Sequence, residues 1–115
     1  MGRFRLSEPA QADIARALTA SEQRFGLDAR RRYRACISAA LRRVAADPEG
    51  LSTADRSDLA PGLRSFHIRH SRLESREPPV AAPVHVLFYR QAARGLIEVA
   101  RVLHERMDPA RHLAP

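Results

Sequence analysis

Lysine is absent. All 20 basic residues of this 115-residue chain are arginines, set against 13 Asp and Glu for a formal charge of +7. Lysine catalysis is thereby excluded, and the positive charge sits in forked guanidinium heads suited to bidentate pairing with carboxylate or phosphate. Cysteine occurs once, at Cys36, which excludes an intrachain disulfide framework and a cysteine-based zinc cluster. A single thiol fits a reducing, cytoplasmic setting. Aromatics are scarce, with four Phe, two Tyr and no Trp, and 20 of the residues behind the 44% hydrophobic content are alanine. Large core side chains are therefore in short supply. A domain of this size buries roughly two-thirds of its unfolded surface, so a partner can complete the core. No stretch approaches the roughly 20 apolar residues that a membrane span needs. Arg3 and Arg5 are not followed by the apolar run of an export signal. These absences predict one cytoplasmic domain over residues 1–115, without a membrane partner.

What is present reads as alternating strands and amphipathic helices. Residues 4–7 make a short alternating run that stops at Glu8-Pro9, and proline is tolerated in the first turn of a helix. The spacing predicts a helix over residues 10–24, with Ile14, Leu18 and Phe25 on its apolar stripe, Asp13, Arg16 and Glu22 elsewhere on the wheel, and Gly26 as its stop. A second helix runs from Asp28 to about Ala46, with Tyr33, Ile37, Leu41 and Val44 on one stripe, until Asp47-Pro48-Glu49-Gly50 ends it. A link this short predicts an antiparallel helical hairpin. Residues 64–69 alternate with period two and predict a strand, and residues 71–83, with three prolines, predict an exposed loop. Strands follow over 84–90 and 96–103, separated by a turn at 91–95. Beyond His104 a short turn or half-formed helix is expected. The predicted class is α+β, with an N-terminal strand, a two-helix hairpin, and a three-stranded antiparallel meander forming one sheet.

The run Gly62-Leu63-Arg64-Ser65-Phe66, the later Pro83-Val84-His85-Val86-Leu87-Phe88-Tyr89-Arg90, and the stretch from Gly95-Leu96-Ile97-Glu98-Val99-Ala100-Arg101 through Asp108 together resemble the RelE/ParE family of type II toxins. The likeness is to the ParE branch, and Ala12-Asp13-Ile14 and Phe25-Gly26 extend it over most of the chain. The resemblance implies a sheet packed by a helical hairpin. It also implies a small toxin held inactive by a cognate, ParD-like antitoxin, in a heterotetramer or a larger complex. ParE-like members trap the cleaved-DNA intermediate of DNA gyrase and have no turnover of their own. RelE-like members instead cut mRNA on the ribosome, and a member that has lost toxicity would survive as an antitoxin-binding remnant. By carry-over from the ParE branch, Arg101, His104, Arg106 and Asp108 contact the target. Asp108 has the plainer alternative of capping a last turn.

An RNase would need a base for the ribose 2′-OH, an acid for the leaving oxygen, and cations for the developing charge. The residues available are Arg64, His67, Arg69, His85, Tyr89, Arg90 and His104. Strand alternation places His67 with Arg69 and His85 with Tyr89, yet any half-exposed antiparallel strand shows such a pattern. In a strand, His67 and His70 would point to opposite faces, and no carboxylate cluster joins them, so no metal is expected. No glycine-rich phosphate cradle is present, and no cofactor is expected. Cys36, one turn from Tyr33, reads as a buried small hydrophobe. Arginine is dense on the second helix at Arg30, Arg31, Arg32, Arg34, Arg42 and Arg43. They form either a solvated face or a docking surface for an acidic antitoxin segment or for DNA, with Arg30, Arg31, Arg34 and Arg42 nominated for the antitoxin.

Overall fold

The computed structural model describes residues 2–113. Strand β1 (Arg3–Leu6) leads into helix α1 (Glu8–Phe25) and helix α2 (Leu27–Ala46). Strand β2 (Thr53–Asp55) and strand β3 (Arg64–His67) follow, then a 3-10 segment (Ile68–Glu74), strand β4 (His85–Ala93), strand β5 (Leu96–His104) and a one-turn helix α3 (Pro109–His112). Among the described residues no helix is long and apolar enough to cross a membrane.

The α+β class stands, but the predicted sheet does not. A three-stranded meander with a separate N-terminal strand is replaced by a five-stranded mixed sheet in the order β1-β5-β4-β3-β2. β1 lies parallel to β5, from Arg3 opposite Leu96 to Leu6 opposite Val99, and every other neighbouring pair is antiparallel. That parallel partner is more than 90 residues away, and local patterning carries no record of a partner so distant. β2 was missed because three residues, Thr-Ala-Asp, are too few and too polar to show alternation. β2 is held at the edge by its ladder to β3 and by Arg64, whose guanidinium donates to Thr53 Oγ1 at 2.8 Å.

Two further boundaries move for local reasons. β3 ends at His67 rather than at Arg69, because the His67 imidazole accepts the Arg69 N–H at 3.1 Å and starts a 3-10 turn. The first part of the expected 71–83 loop is therefore helical, with Ile68 and Ser71 buried beneath α2. The turn expected at 91–95 shrinks to Arg94-Gly95, where Gly95 has φ +71°, a conformation other residues resist.

Ser7 organises the start of the chain. Its hydroxyl accepts the Ala10 N–H at 3.1 Å, capping α1, and donates to the Ala100 carbonyl of β5 at 2.7 Å. Gly26, at φ +95°, ends α1 through its N–H to Glu22 and opens α2 at once, which fixes the hairpin. Gly2 passes so close to the C-terminal end of α2 that a side chain there would collide with the Ala45 carbonyl.

The helices cover one sheet face. Leu18, Ile37, Leu41 and Val44 pack there against Leu87, Tyr89, Ile97 and Val99. The opposite face keeps a smaller cluster, Leu63, Phe88 and Leu103, roofed by Leu59 and by Leu113 of the C-terminal segment. Phe25, placed by spacing on the α1 stripe, instead stands 73% exposed at the hairpin tip beside Leu27 at 70%. Asp13, placed by spacing off the apolar stripe of α1, is only 6% exposed. It lies on the buried Ala10/Ala17 line that faces the sheet.

Candidate functional site

The end of β5 and the segment after it hold the residues nominated for target contact. Register between β4 and β5 shifts at Phe88/Tyr89, so that Phe88 faces Arg101, Tyr89 faces Val99, and Ala100 is the extra residue of a bulge. A bulge bends its strand and re-aims the next side chain. Here Arg101 turns to α1, where its Nε and Nη2 donate to Asp13 Oδ2 and Oδ1 at 2.8 and 2.9 Å. The same carboxylate accepts the Val102 N–H at 2.9 Å and Arg16 Nη2 at 2.6 Å. Burial opposes ionisation of Asp13, but the hydrogen bonds from Arg101 and Val102 and the charges of Arg101 and Arg16 outweigh it, holding the carboxyl below its usual range. The third guanidinium nitrogen, Arg101 Nη1, donates to the His112 carbonyl at 3.0 Å.

The other three nominees follow directly. His104 Nδ1 accepts the Arg106 N–H at 3.1 Å, which leaves the Arg106 side chain exposed, and among the described residues it makes no ion pair. Asp108 caps α3 by accepting the Ala110 N–H at 3.1 Å. Met107, between them, is 47% exposed. His104, Arg106 and Asp108 therefore sit together at the end of the sheet, while Arg101 lies behind them, engaged with Asp13.

Next to this segment is a concavity of about 320 Å³ on the open sheet face, lined by Ser65, His67, His70, His104, Glu105 and Met107 among others. His67 Nε2 lies 2.7 Å from Glu105 Oε1, a contact that holds the Glu105 carboxyl below its ordinary range. His67 and His70, expected on opposite faces, have ring centroids 6.4 Å apart. With three residues per 3-10 turn, positions i and i+3 eclipse. Desolvation, with the nearby Arg69 charge, lowers the His70 pKa.

His85 lies on the helix side of the sheet. The Tyr33 hydroxyl accepts the Val84 N–H at 3.0 Å and shares a hydrogen bond of 2.5 Å with His85 Nδ1. Burial, reinforced by His104 and His67, lowers the His85 pKa to about 4, and burial raises that of Tyr33 to about 12.

The RNase candidates divide. His67, Arg69 and His104 line the concavity, and His85, its ring centroid 5.6 Å from that of His104, is packed against Tyr33. Tyr89 is fully buried with its hydroxyl donating to the Pro48 carbonyl, Arg64 donates to that same carbonyl at 3.2 Å, and Arg90 reaches Glu98. Among the described residues no group of three His, Cys, Asp or Glu side chains is arranged to hold a metal ion.

On α2 the basic residues divide. Arg30 pairs with Glu22 at 3.1 Å, and Arg31 pairs with Glu77 at 2.6 Å and with Asp28 at 3.1 Å. Arg34 and Arg42 are exposed and, among the described residues, make no ion pair. Cys36 is buried, which pushes its thiol pKa up.

Reasoning from sequence missed Asp13, Tyr33 and Glu105. Asp13 was detectable as the residue three after Ala10 and four before Ala17, on the small-residue line that lets α1 approach the sheet. Tyr33 was read as core packing, and its hydroxyl role depends on a β4 partner that no local signal reveals.

The profile of the family described as "ParE toxin of type II toxin-antitoxin system, parDE" matches residues 4–109. The chain is 33% identical over 111 residues to Toxin ParE1 of Mycobacterium tuberculosis (strain ATCC 25618 / H37Rv), covering 96% of this chain and 97% of that protein. It is also 33% identical over 113 residues to Toxin ParE1 of Caulobacter vibrioides (strain ATCC 19089 / CIP 103742 / CB 15), covering 98% of this chain and 99% of that protein. A match this complete, over a chain in which the β5 end and its tail are built as one unit, shows that the protein belongs to the ParE toxin family of type II toxin–antitoxin systems.

Proposed function

We propose that this chain poisons DNA gyrase in the cytoplasm by trapping the enzyme's cleaved-DNA intermediate, and that a cognate ParD-like antitoxin neutralises it. The observation that carries this reading is the end of β5. His104, Arg106 and Met107 are grouped beside a capped terminal helix on a braced sheet end, in a member of the ParE family. A rigid contact surface suits a protein that binds and traps. The tied and scattered positions of Arg64, Tyr89, Arg90 and His85 do not suit one that turns over substrate. For the antitoxin, the outer face of α2 offers Arg34 and Arg42, with Arg30 and Arg31 toward the helix start, where Phe25 and Leu27 form an apolar tip. An amphipathic acidic segment matches both features.

A second reading, mRNA cleavage on the ribosome, draws on the His67–Glu105 pair beside His104, where an imidazole and a carboxyl meet on the open face. A plasmid cleavage assay with gyrase, ATP and the chain freed of antitoxin separates the two. Protein-linked linear DNA, reversed by antitoxin, supports the poison. Unchanged DNA from a chain that stops growth transfers the weight to mRNA, and no effect in either setting marks a binding remnant.

A further inference from the structure

The Asp13–Arg101 pair has a geometry that a simple strand-to-helix contact does not need. β1 ends at Leu6, opposite Val99, so β5 continues to His104 without a strand on that side. The Asp13 carboxylate takes over there, accepting the Val102 N–H at 2.9 Å. The bulge at Ala100 then aims Arg101 so that its fork closes on both Asp13 oxygens while Nη1 remains for the His112 carbonyl at 3.0 Å. α3 has four residues, far below the length at which a helix holds itself in water. Beyond its own backbone hydrogen bonds and the local Asp108 cap and Arg111–Asp108 pair, it is tied to the rest of the chain by the packing of Leu113 against Leu63, Phe88 and Leu103 and by the donor from Arg101.

We propose that Asp13 and Arg101 are positioning residues for the C-terminal segment: the guanidinium, locked in orientation by Asp13, fixes residues 109–113 over the open sheet face. The segment's placement is thus set by the first helix, some 90 residues earlier in the chain. Its functional weight rests on the reading that the β5 end contacts the target; the mechanical claim is independent of that reading. A lysine at position 101 keeps the charge beside Asp13 but, as a single ammonium, cannot keep both Asp13 oxygens and the His112 carbonyl.

The test is backbone amide relaxation on the full chain and on Arg101→Lys and Asp13→Asn. Order parameters of Ala110, Arg111 and Leu113 are expected to fall from about 0.85 to below about 0.6 in both variants, while core amides such as Leu87 and Val99 keep rigid values. Asp13→Asn retains an acceptor for Val102, so a loosened tail in that variant marks loss of the Arg101 lock rather than loss of the strand edge. A tail that stays rigid in both variants overturns the proposal. A loosened tail with undiminished gyrase cleavage upholds the clamp and removes the tail from target contact.

Discussion

Asp13, buried, and His85, half-buried, are polar side chains held by specific partners. Asp13 is a nearly buried carboxylate held by two arginines and a backbone N–H. Removing one partner of such a pair leaves an uncompensated charge and costs about 3–5 kcal/mol. Asp13→Ala is therefore expected to lower stability by about that amount, measured as a lower urea midpoint with an unchanged slope. His85 predicts a pH dependence. Its folded pKa is about 4 against an ordinary 6.5, so the unfolded chain takes up the proton first. Stability from this residue is fully present above about pH 6.5 and is lost as pH falls toward about 4, by up to about 3 kcal/mol. The depressed carboxyls of Asp13 and Glu105 act in the same direction at lower pH. In His85→Gln, which keeps an acceptor for Tyr33, the loss between pH 6.5 and 4 should flatten in thermal melts. At this scale the sequence named His67, His104, Arg106 and Asp108 but gave no sign that Arg101 is engaged inward. That depends on a bulge, and a bulge is a property of two strands.

Elements divide by how local their causes are. Both helices and their hairpin were legible, because Ser7, Pro9, Gly26 and the period of Ile37, Leu41 and Val44 all act within a few residues. β4 and β5 were legible within a few residues at each end for the same reason. The 3-10 segment was not, since it is started by one imidazole accepting one N–H and stabilised by burial beneath α2. The basic face of α2 became more specific once folded. Arg30, Arg31 and Arg43 already have carboxylate partners, which leaves Arg32, Arg34 and Arg42 exposed and, among the described residues, without an ion pair. Changing Arg34 and Arg42 together to Gln should weaken antitoxin binding on the order of tenfold at low salt and flatten its salt dependence. Titration of the cognate antitoxin at two ionic strengths checks this, and unchanged affinity and slope would place the interface elsewhere.

For the whole molecule, the α+β class followed from the order of helical and alternating segments, but the sheet did not. Its parallel β1–β5 pair joins the two ends of the chain, and its fifth strand has three residues. That closure brings α1 to the edge of β5, where Ser7 and Asp13 bond the strand. The proposed action of this end on gyrase is tested by comparing the full chain with one ending at Met107 in the gyrase cleavage assay, with antitoxin titration of both chains as the control for folding. Protein-linked linear DNA is expected from the full chain, suppressed by antitoxin, and little or none from the shortened chain that still binds antitoxin. Equal cleavage by both chains, or none from a full chain that binds antitoxin, would contradict the proposal.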